Sequence, residues 1–254
     1  MNDGASARAP RWLAAPGIEL SVVIPVHDEA DCVAPLLREI RAALDGQVQY
    51  EVVFVDDAST DATLDRLRSA MDDDGRLVVV RHRTRCGQSA ALHTGVRTAS
   101  GAWIATLDGD GQNDPADIPR LLAMAREAGG PAMVAGHRRV RRDDWRKRLG
   151  SRLANAIRRT VLGDATPDSG CGLKVFPRDV YLALPCFDHM HRFLPALFQA
   201  RGARVMIAEV NHRPRLAGVS KYGTLERGWV GLIDLAGVFW LQRRTVRADG
   251  EALT

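Results

Sequence analysis

The chain has 254 residues, of which 46% are apolar and 26% charged, with a formal net charge of +4. This balance is ordinary for a soluble globular protein and leaves material for one sizeable core, so a disordered or low-complexity chain is excluded. The mild basic excess favours anionic partners without choosing among nucleic acid, phosphates and lipid headgroups.

Residues Met1 to Gly17 have the character of a flexible leader. No apolar run resembling a signal peptide precedes the first strand, so export is not expected. Glu19 to Val26 (ELSVVIPV) predicts a buried strand, a short β-branched run closed by a polar cluster. A helical pattern follows through Val33, Leu36, Leu37, Ile40 and Leu44. Tyr50 to Val55 predicts a second strand that runs into Asp56 and Asp57. Ser59 and Thr60 then offer caps for a helix through Leu64 and Leu67. Leu77 to Val80 is a third strand, with a helix near Ser89 to Thr98. Trp103 to Leu107 is a fourth and ends at Asp108. An amphipathic helix follows Pro115, through Ile118, Leu121, Leu122 and Ala125. Further on, Trp145 to Leu162 predicts a helix, and Gly172 to Phe176 and Arg204 to Val210 predict strands.

Strands alternating with helices imply a mostly parallel, Rossmann-like sheet with helices on both faces. Ligands of such sheets bind outside the carboxyl ends of the strands. Glu29, Asp56, Asp57, Asp108 and Asp110 all follow strand ends. Five acids at one edge repel one another unless a cation sits among them or they hold ligand hydroxyls and base edges. The cysteines, Cys32, Cys86, Cys171 and Cys186, form no C-x-x-C pair and have no histidine at zinc-ligand spacing. They are expected to be reduced thiols of a cytosolic protein.

The central motif is Leu107 to Pro115, LDGDGQNDP. Asp108 and Asp110, one residue apart in a turn, can reach one site, and hard oxygen ligands suit Mg²⁺ or Mn²⁺. An EF-hand is excluded, because its sixth and twelfth positions are Asn113 and Pro119 rather than Gly and Glu. A P-loop is excluded because no G-x-x-x-x-G-K-[ST] run exists. An Asx-rich turn capping the next helix fits the same residues. The motif alone does not choose between the cap and the metal site.

Order supplies what the single motif lacks. Ile24 to Glu29 (IPVHDE), Val55 to Asp61 (VDDASTD), the D-x-D run and Asp168 to Leu173 (DSGCGL) occur in that sequence. Together they resemble the family 2 glycosyltransferases of the polyprenol-phosphate type, similar to dolichol-phosphate mannosyltransferase, from about Leu20 to about Thr224. The resemblance implies a GT-A fold over residues 18–224, a leader over 1–17 and a C-terminal amphipathic helix and tail over 225–254. By the same resemblance Pro25, His27, Glu29, Asp57, Gly87, Gln88 and Asp108 line the nucleotide pocket, and Asp57 contacts the nucleoside. Asp108, Asp110 and Gln112 match the metal and diphosphate motif. Asp168, Ser169 and Gly170 match the segment near the acceptor, with Cys171 where an aromatic is usual. Asp110 and Asp168 are the candidate catalytic residues. The first-choice donor is GDP-mannose, followed by UDP-glucose and UDP-N-acetylglucosamine.

Two basic runs remain. Gly136 to Arg152 carries eight cations, including Arg138 and Arg152, and His212 to Tyr222 reads HRPRLAGVSKY. Similar proteins hold the phosphate of the lipid acceptor with such runs, which assigns Arg138, Arg152, Arg213, Ser220 and Lys221. Arginine suits this task through bidentate, charge-assisted bonds to phosphate oxygens. A solvated helix face also fits the first run. A nucleic-acid arm does not, because no aromatics are interleaved for stacking. His82, His189 and His191 are expected to be ordinary surface or structural residues.

Trp229 to Leu241 (WVGLIDLAGVFWL) is shorter than the roughly 20 apolar residues of a spanning helix and contains Asp234. Its flanking Trp229, Trp240, Arg243, Arg244 and Arg247 suit an interfacial helix, and a core helix is the alternative. The expected setting is peripheral, at the inner face of the cytoplasmic membrane, with an integral protein as a possible anchor. Rivals to lipid-phosphate transfer are a same-fold enzyme with a soluble or polysaccharide hydroxyl acceptor and a catalytically idle membrane-pathway partner.

Overall fold

The computed structural model describes residues 17–138, 158–164, 166–214 and 226–244. The leader before Gly17, Arg152 with most of the first basic run, and Ser220 and Lys221 lie outside these residues. Of the helix predicted over Trp145 to Leu162, residues 158–162 are described and are helical.

The amino-terminal half alternates strictly: β1 (Leu20–Val26), α1 (Ala30–Leu44), β2 (Tyr50–Asp56), α2 (Thr63–Asp73), β3 (Leu77–Arg81), α3 (Gln88–Thr98) and β4 (Trp103–Thr106). A 3₁₀ turn (Pro115–Asp117) leads into α4 (Ile118–Arg126). Then come β5 (Ala132–Arg138), β6 (Lys174–Pro177), α5 (Arg178–Leu182), α6 (Leu194–Ala200), β7 (Arg204–Val210) and α7 (Glu226–Arg244).

The strands form one sheet in the order β3-β2-β1-β4-β6-β5-β7. Only β6 runs antiparallel, against both β4 and β5. All seven residues of β2 are buried, which is why its centre, Val52 to Val55, is continuously apolar rather than alternating. On one face β1 and β2 pack with α1 and α4 around Leu36, Ile40, Phe54 and Leu121. On the other, Val23, Val53 and Val55 meet α3, α5 and α6 through Leu92, Val96, Tyr181 and Phe198.

Strand β5 carries no strong sequence signal, because AMVAGHR is short of β-branched residues. It forms because β7 pairs with it from Ala132↔Arg204 to Arg138↔Val210. Gly136 is required there: a Cβ would stand 2.9 Å from both Cys171 Sγ and the Leu173 carbonyl oxygen.

The loops after β1 and β2 are laced together. Asp28 N–H donates to Ser59 Oγ (3.0 Å), Thr60 N–H to Asp28 Oδ1 (2.7 Å) and Glu29 N–H to Thr63 Oγ1 (2.9 Å). Ser59 and Thr60 therefore do not cap α2 as predicted; Asp61 takes the Thr63 N–H instead, at 2.9 Å. Asp28 and Ala58 adopt left-handed backbone, at φ 54° and 57°.

Helix α7 has two faces. Val238 is buried in the α6 core, with Leu235 and Phe239 beside it. Gln242 Nε2 donates to the carbonyls of Leu162 (3.3 Å) and Ala196 (3.1 Å). Asp234, costly in lipid when alone, is held by His189 Nδ1 at 3.0 Å. Outward, Leu232, Ile233 and Trp240 are 51%, 68% and 59% exposed, with Arg243 and Arg244 exposed beyond them. Among the described residues no helix is long and apolar enough to cross a membrane.

Helix α3 approaches β1 through Gly95, where a Cβ would fall 2.4 Å from Val23 Cγ1 and 3.1 Å from Val55 Cγ2. Gly95→Ala gains about 1 kcal/mol of helix propensity and meets an overpacking cost of about 1–3 kcal/mol. A net loss in urea midpoint is expected. The double variant Gly95→Ala/Val23→Ala, which removes the Val23 methyl that the new Cβ would meet, should be more stable than the sum of the single effects.

Candidate active site

A cleft of about 600 Å³ opens at the carboxyl edge of β1, β2 and β4. Pro25, His27, Glu29, Asp57, Gly87, Gln88, Asp108, Asp110, Gln112 and Arg138, all singled out in the sequence, line it together. Asp56 lies beneath the wall, fully buried, 3.7 Å from Arg81 Nε.

At one end the groups are held by hydrogen bonds. Asp57 Oδ1 accepts from Cys86 N–H and from His82, each at 2.8 Å, and Oδ2 accepts from Gly87 N–H at 2.8 Å. Burial alone raises this carboxyl's pKa; the three donors outweigh it and hold the group below the usual carboxylate range. His27 Nδ1 lies 2.9 Å from the Asp57 carbonyl oxygen. Gly87, at φ 90°, turns the chain into α3. On the first turn of that helix Gln88 Nε2 donates to Asp108 Oδ1 at 2.9 Å.

The other end is governed by charge. The D-x-D loop folds on itself: Asn113 Oδ1 accepts from Asp108 N–H (3.1 Å), and Asp110 Oδ1 from Gln112 N–H (3.1 Å). Asp114 accepts from Ala116 N–H at 3.0 Å, so the Asx cap is real and coexists with the cleft-facing pair. Burial, then the neighbouring Asp110, push the Asp108 carboxyl up to about 6. Gly172 makes room for it, since a Cβ there would fall 2.2 Å from Asp108 Oδ2. Lys174, buried at the start of β6, donates to the Cys171 carbonyl, and its charge opposes that rise. Burial pulls the Lys174 ammonium itself down.

Two hard-oxygen carboxylates in one turn, one of them costly to ionise beside the other, fit a divalent cation of the Mg²⁺ or Mn²⁺ kind. Asp108 and Asp110 would hold it, with Gln112 beside them.

The structure revises two expectations. Asp168 is 3% exposed and does not line the cleft; Arg138 Nε and Nη2 bind it at 2.6 and 2.7 Å. A carboxylate clamped by a guanidinium is stabilised in its ionised form and is a poor proton acceptor. Arg213 also stays outside the cleft wall. Its Nη1 and Nη2 bind Glu39 of α1 at 3.1 and 2.7 Å, and Nη2 donates to the Asn113 carbonyl at 2.9 Å. It braces the back of the D-x-D loop, because its backbone N–H also reaches the Gln112 carbonyl at 3.0 Å.

Sequence patterns passed over Arg85, Lys174, His191 and Arg192, which also line the cleft. Lys174 had a weak signal, following DSGCGL directly. His191 and Arg192 belong to a turn brought in from 80 residues beyond the D-x-D run, with no local motif around them.

A mostly parallel sheet with an acidic D-x-D turn at its carboxyl edge is the GT-A arrangement. The chain belongs to glycosyl transferase family 2, whose model matches residues 21–184. It is 35% identical over 235 residues to the dodecaprenyl-phosphate galacturonate synthase of Rhizobium johnstonii, covering 91% of this chain and 69% of that protein. It is 37% identical over 208 residues to an undecaprenyl-phosphate 4-deoxy-4-formamido-L-arabinose transferase of Aeromonas hydrophila, covering 81% of this chain and 63% of that one. About a third of the length of such relatives therefore lies outside the stretch this chain matches. Among solved structures, glucosyl-3-phosphoglycerate synthase of Mycobacterium tuberculosis with Mn²⁺, UDP and phosphoglyceric acid superposes at a TM-score of 0.67, with 20% identity, over 93% of this chain and 82% of that one. The same enzyme with Mg²⁺ and UDP gives 0.66 at 20% identity, over 93% and 83%. At that identity the likeness concerns the fold.

The raised Asp108 carboxyl sets a pH dependence. A protonated Asp108 cannot ligate, so Mn²⁺ affinity should be level above about 6 and fall by roughly tenfold per unit below it. Calorimetric titration with Mn²⁺ between pH 5 and 8 checks this. Asp108→Asn should weaken binding and abolish the acid limb.

Proposed function

We propose that the chain transfers a sugar from a nucleotide-sugar to the phosphate of a polyprenyl phosphate. The observation that carries this reading is that one cleft is lined both by the paired carboxylates Asp108 and Asp110 and by the cations Arg138, Lys174 and Arg192. The named relatives are polyprenyl-phosphate sugar transferases, which supports the acceptor class. Their sugars are galacturonate and a formamido-arabinose, so the GDP-mannose expectation has no support among them. A uridine nucleotide and a galacturonate-type sugar become the first donors to try.

A bound Mg²⁺ or Mn²⁺ would neutralise charge on the departing nucleoside diphosphate. The protein's own groups position the partners. Asp57, His27 and Glu29 take the nucleoside end. Arg138, with Arg152, Ser220 and Lys221 from outside the described residues, takes the acceptor phosphate. A phosphate monoester has its second pKa near 6, so about 90% is dianionic at neutral pH and can attack the anomeric carbon with inversion. A sugar-hydroxyl acceptor would need a base, and Asp168, the candidate, is engaged by Arg138. This favours the phosphate acceptor over the hydroxyl rival. Asp108 and Asp110 standing together in the cleft argue against an idle partner.

A panel of UDP- and GDP-sugars assayed with undecaprenyl and dolichyl phosphate tests the reading. Transfer should require a divalent cation, and Asp110→Ala should lose on the order of 10² or more in rate. Full turnover in excess chelator, or transfer to soluble hydroxyls alone, overturns it.

The outward face of α7 would rest on the membrane where the acceptor resides, at the inner face of the cytoplasmic membrane, alone or beside an integral partner. Trp240 suits the headgroup region, and Arg243 and Arg244 suit anionic lipid. Ile233→Glu/Trp240→Glu should release the protein from anionic vesicles in flotation without lowering its melting temperature. Unchanged flotation would remove α7 from the contact.

A further inference from the structure

His191 lines the cleft on the turn before α6, and nothing in its surrounding sequence marks it out. Its ring is not loose. His191 backbone N–H donates to Ser89 Oγ at 3.3 Å, and the same Ser89 oxygen lies 2.7 Å from His191 Nδ1. Ser89 is 1% exposed, so water does not compete for this pair. The buried Ser89 hydroxyl has no other acceptor among the described residues, so it directs its hydrogen to Nδ1 rather than leaving it unbonded. That makes Nδ1 the acceptor and leaves the ring proton on Nε2. Nε2 is not among the buried unpartnered atoms, and no described residue bonds it. The ring also stays neutral. Burial, then the charges of Arg192, Lys174 and His189, push its pKa down to about 3.

Position along α3 says what this N–H meets. Gln88 and Ser89 are consecutive in the first turn of α3; Gln88 holds Asp108 and Ser89 holds His191. One rigid turn thus registers His191 against the carboxylate assigned to the donor diphosphate. The sugar extends from that diphosphate.

We propose that His191 is a specificity-determining residue whose Nε2–H donates a hydrogen bond to an oxygen of the donor's sugar, with Ser89 fixing the tautomer. This rests on the nucleotide-sugar reading of the cleft. His191 acts as a fixed donor and not as a base, since its proton already sits on the cleft side.

The test compares UDP with UDP-galacturonate, and with the other nucleotide-sugars of the panel, by calorimetry with Mn²⁺ and without any lipid. It therefore stands apart from whether polyprenyl phosphate is the acceptor. His191→Phe keeps a ring and removes the donor. It should leave UDP affinity within about twofold and cut the extra affinity contributed by the sugar by about tenfold, the size of one hydrogen bond. His191→Gln, whose amide reaches the Nε2 position, should restore most of that increment. Nitrogen-15 spectra of the wild type should show the Nε2–H tautomer, unprotonated at Nδ1 and unchanged down to pH 5, and Ser89→Ala should mix the tautomers. Three results would each overturn the proposal. One is an unaltered sugar increment in His191→Phe. Another is equal loss of UDP and UDP-sugar binding in both His191 variants, which marks a structural role. The third is the absence of a sugar increment in the wild type for every donor tried.

Discussion

Asp108 and Asp110 share one turn at the carboxyl edge of a mostly parallel sheet, and burial together with the neighbouring Asp110 raises the cost of holding Asp108 ionised. Much of the surrounding structure answers that cost. Gly172 gives up its side chain so that Asp108 fits. Gln88 hydrogen-bonds it from α3, and the charges of Lys174 and Arg138 favour its ionised form. The antiparallel β6 is what delivers Lys174 to this point, by pairing Thr106↔Lys174 at the end of β4. A site stabilised in this incomplete way is suited to receive a cation and the diphosphate that accompanies it.

The cleft is organised differently along its length. Around Asp57 the charge is met by three protein donors, and the loops after β1 and β2 bind each other through Asp28, Ser59, Thr60 and Thr63. That end is preorganised, as recognition of a fixed nucleoside demands. Around Asp108 the charges of Lys174 and Arg138 act instead, which suits partners whose negative charge moves during transfer. The Arg138–Asp168 pair fits this division. Asp168 holds a cation at the wall while staying behind it, and removing either partner would strand a buried charge.

Helix α7 shows how one element serves two environments. Val238 and Phe239 complete the core against α6, and Asp234 and Gln242 satisfy polar groups of neighbouring segments. The opposite side exposes Leu232, Ile233 and Trp240. A core helix and an interfacial helix were alternatives in the sequence; three dimensions let the inner face be the first while the outer face keeps the apolar surface the second requires.

The sequence by itself determined the alternation of the first four strands and three helices, because continuous β-branched runs and 3.6-residue periodicity are local signals. It also determined the acidic strand ends, since residues that follow parallel strands must meet at one edge. The nucleotide and metal candidates came together for that reason. Only the tertiary structure decided the rest. Strand β5 exists through pairing with β7, 72 residues away, and its own residues scarcely favour a strand. Asp168 and Arg213 bear charges that suit catalysis or phosphate binding, yet each found a nearer partner, Arg138 and Glu39, across 30 and 174 residues of chain. His191 reached the cleft through Ser89, 102 residues before it. Residue type and spacing state what a side chain could do. Which partner lies within 3 Å is a property of the folded packing, and that choice sets whether a charge is spent on structure or left facing the cleft.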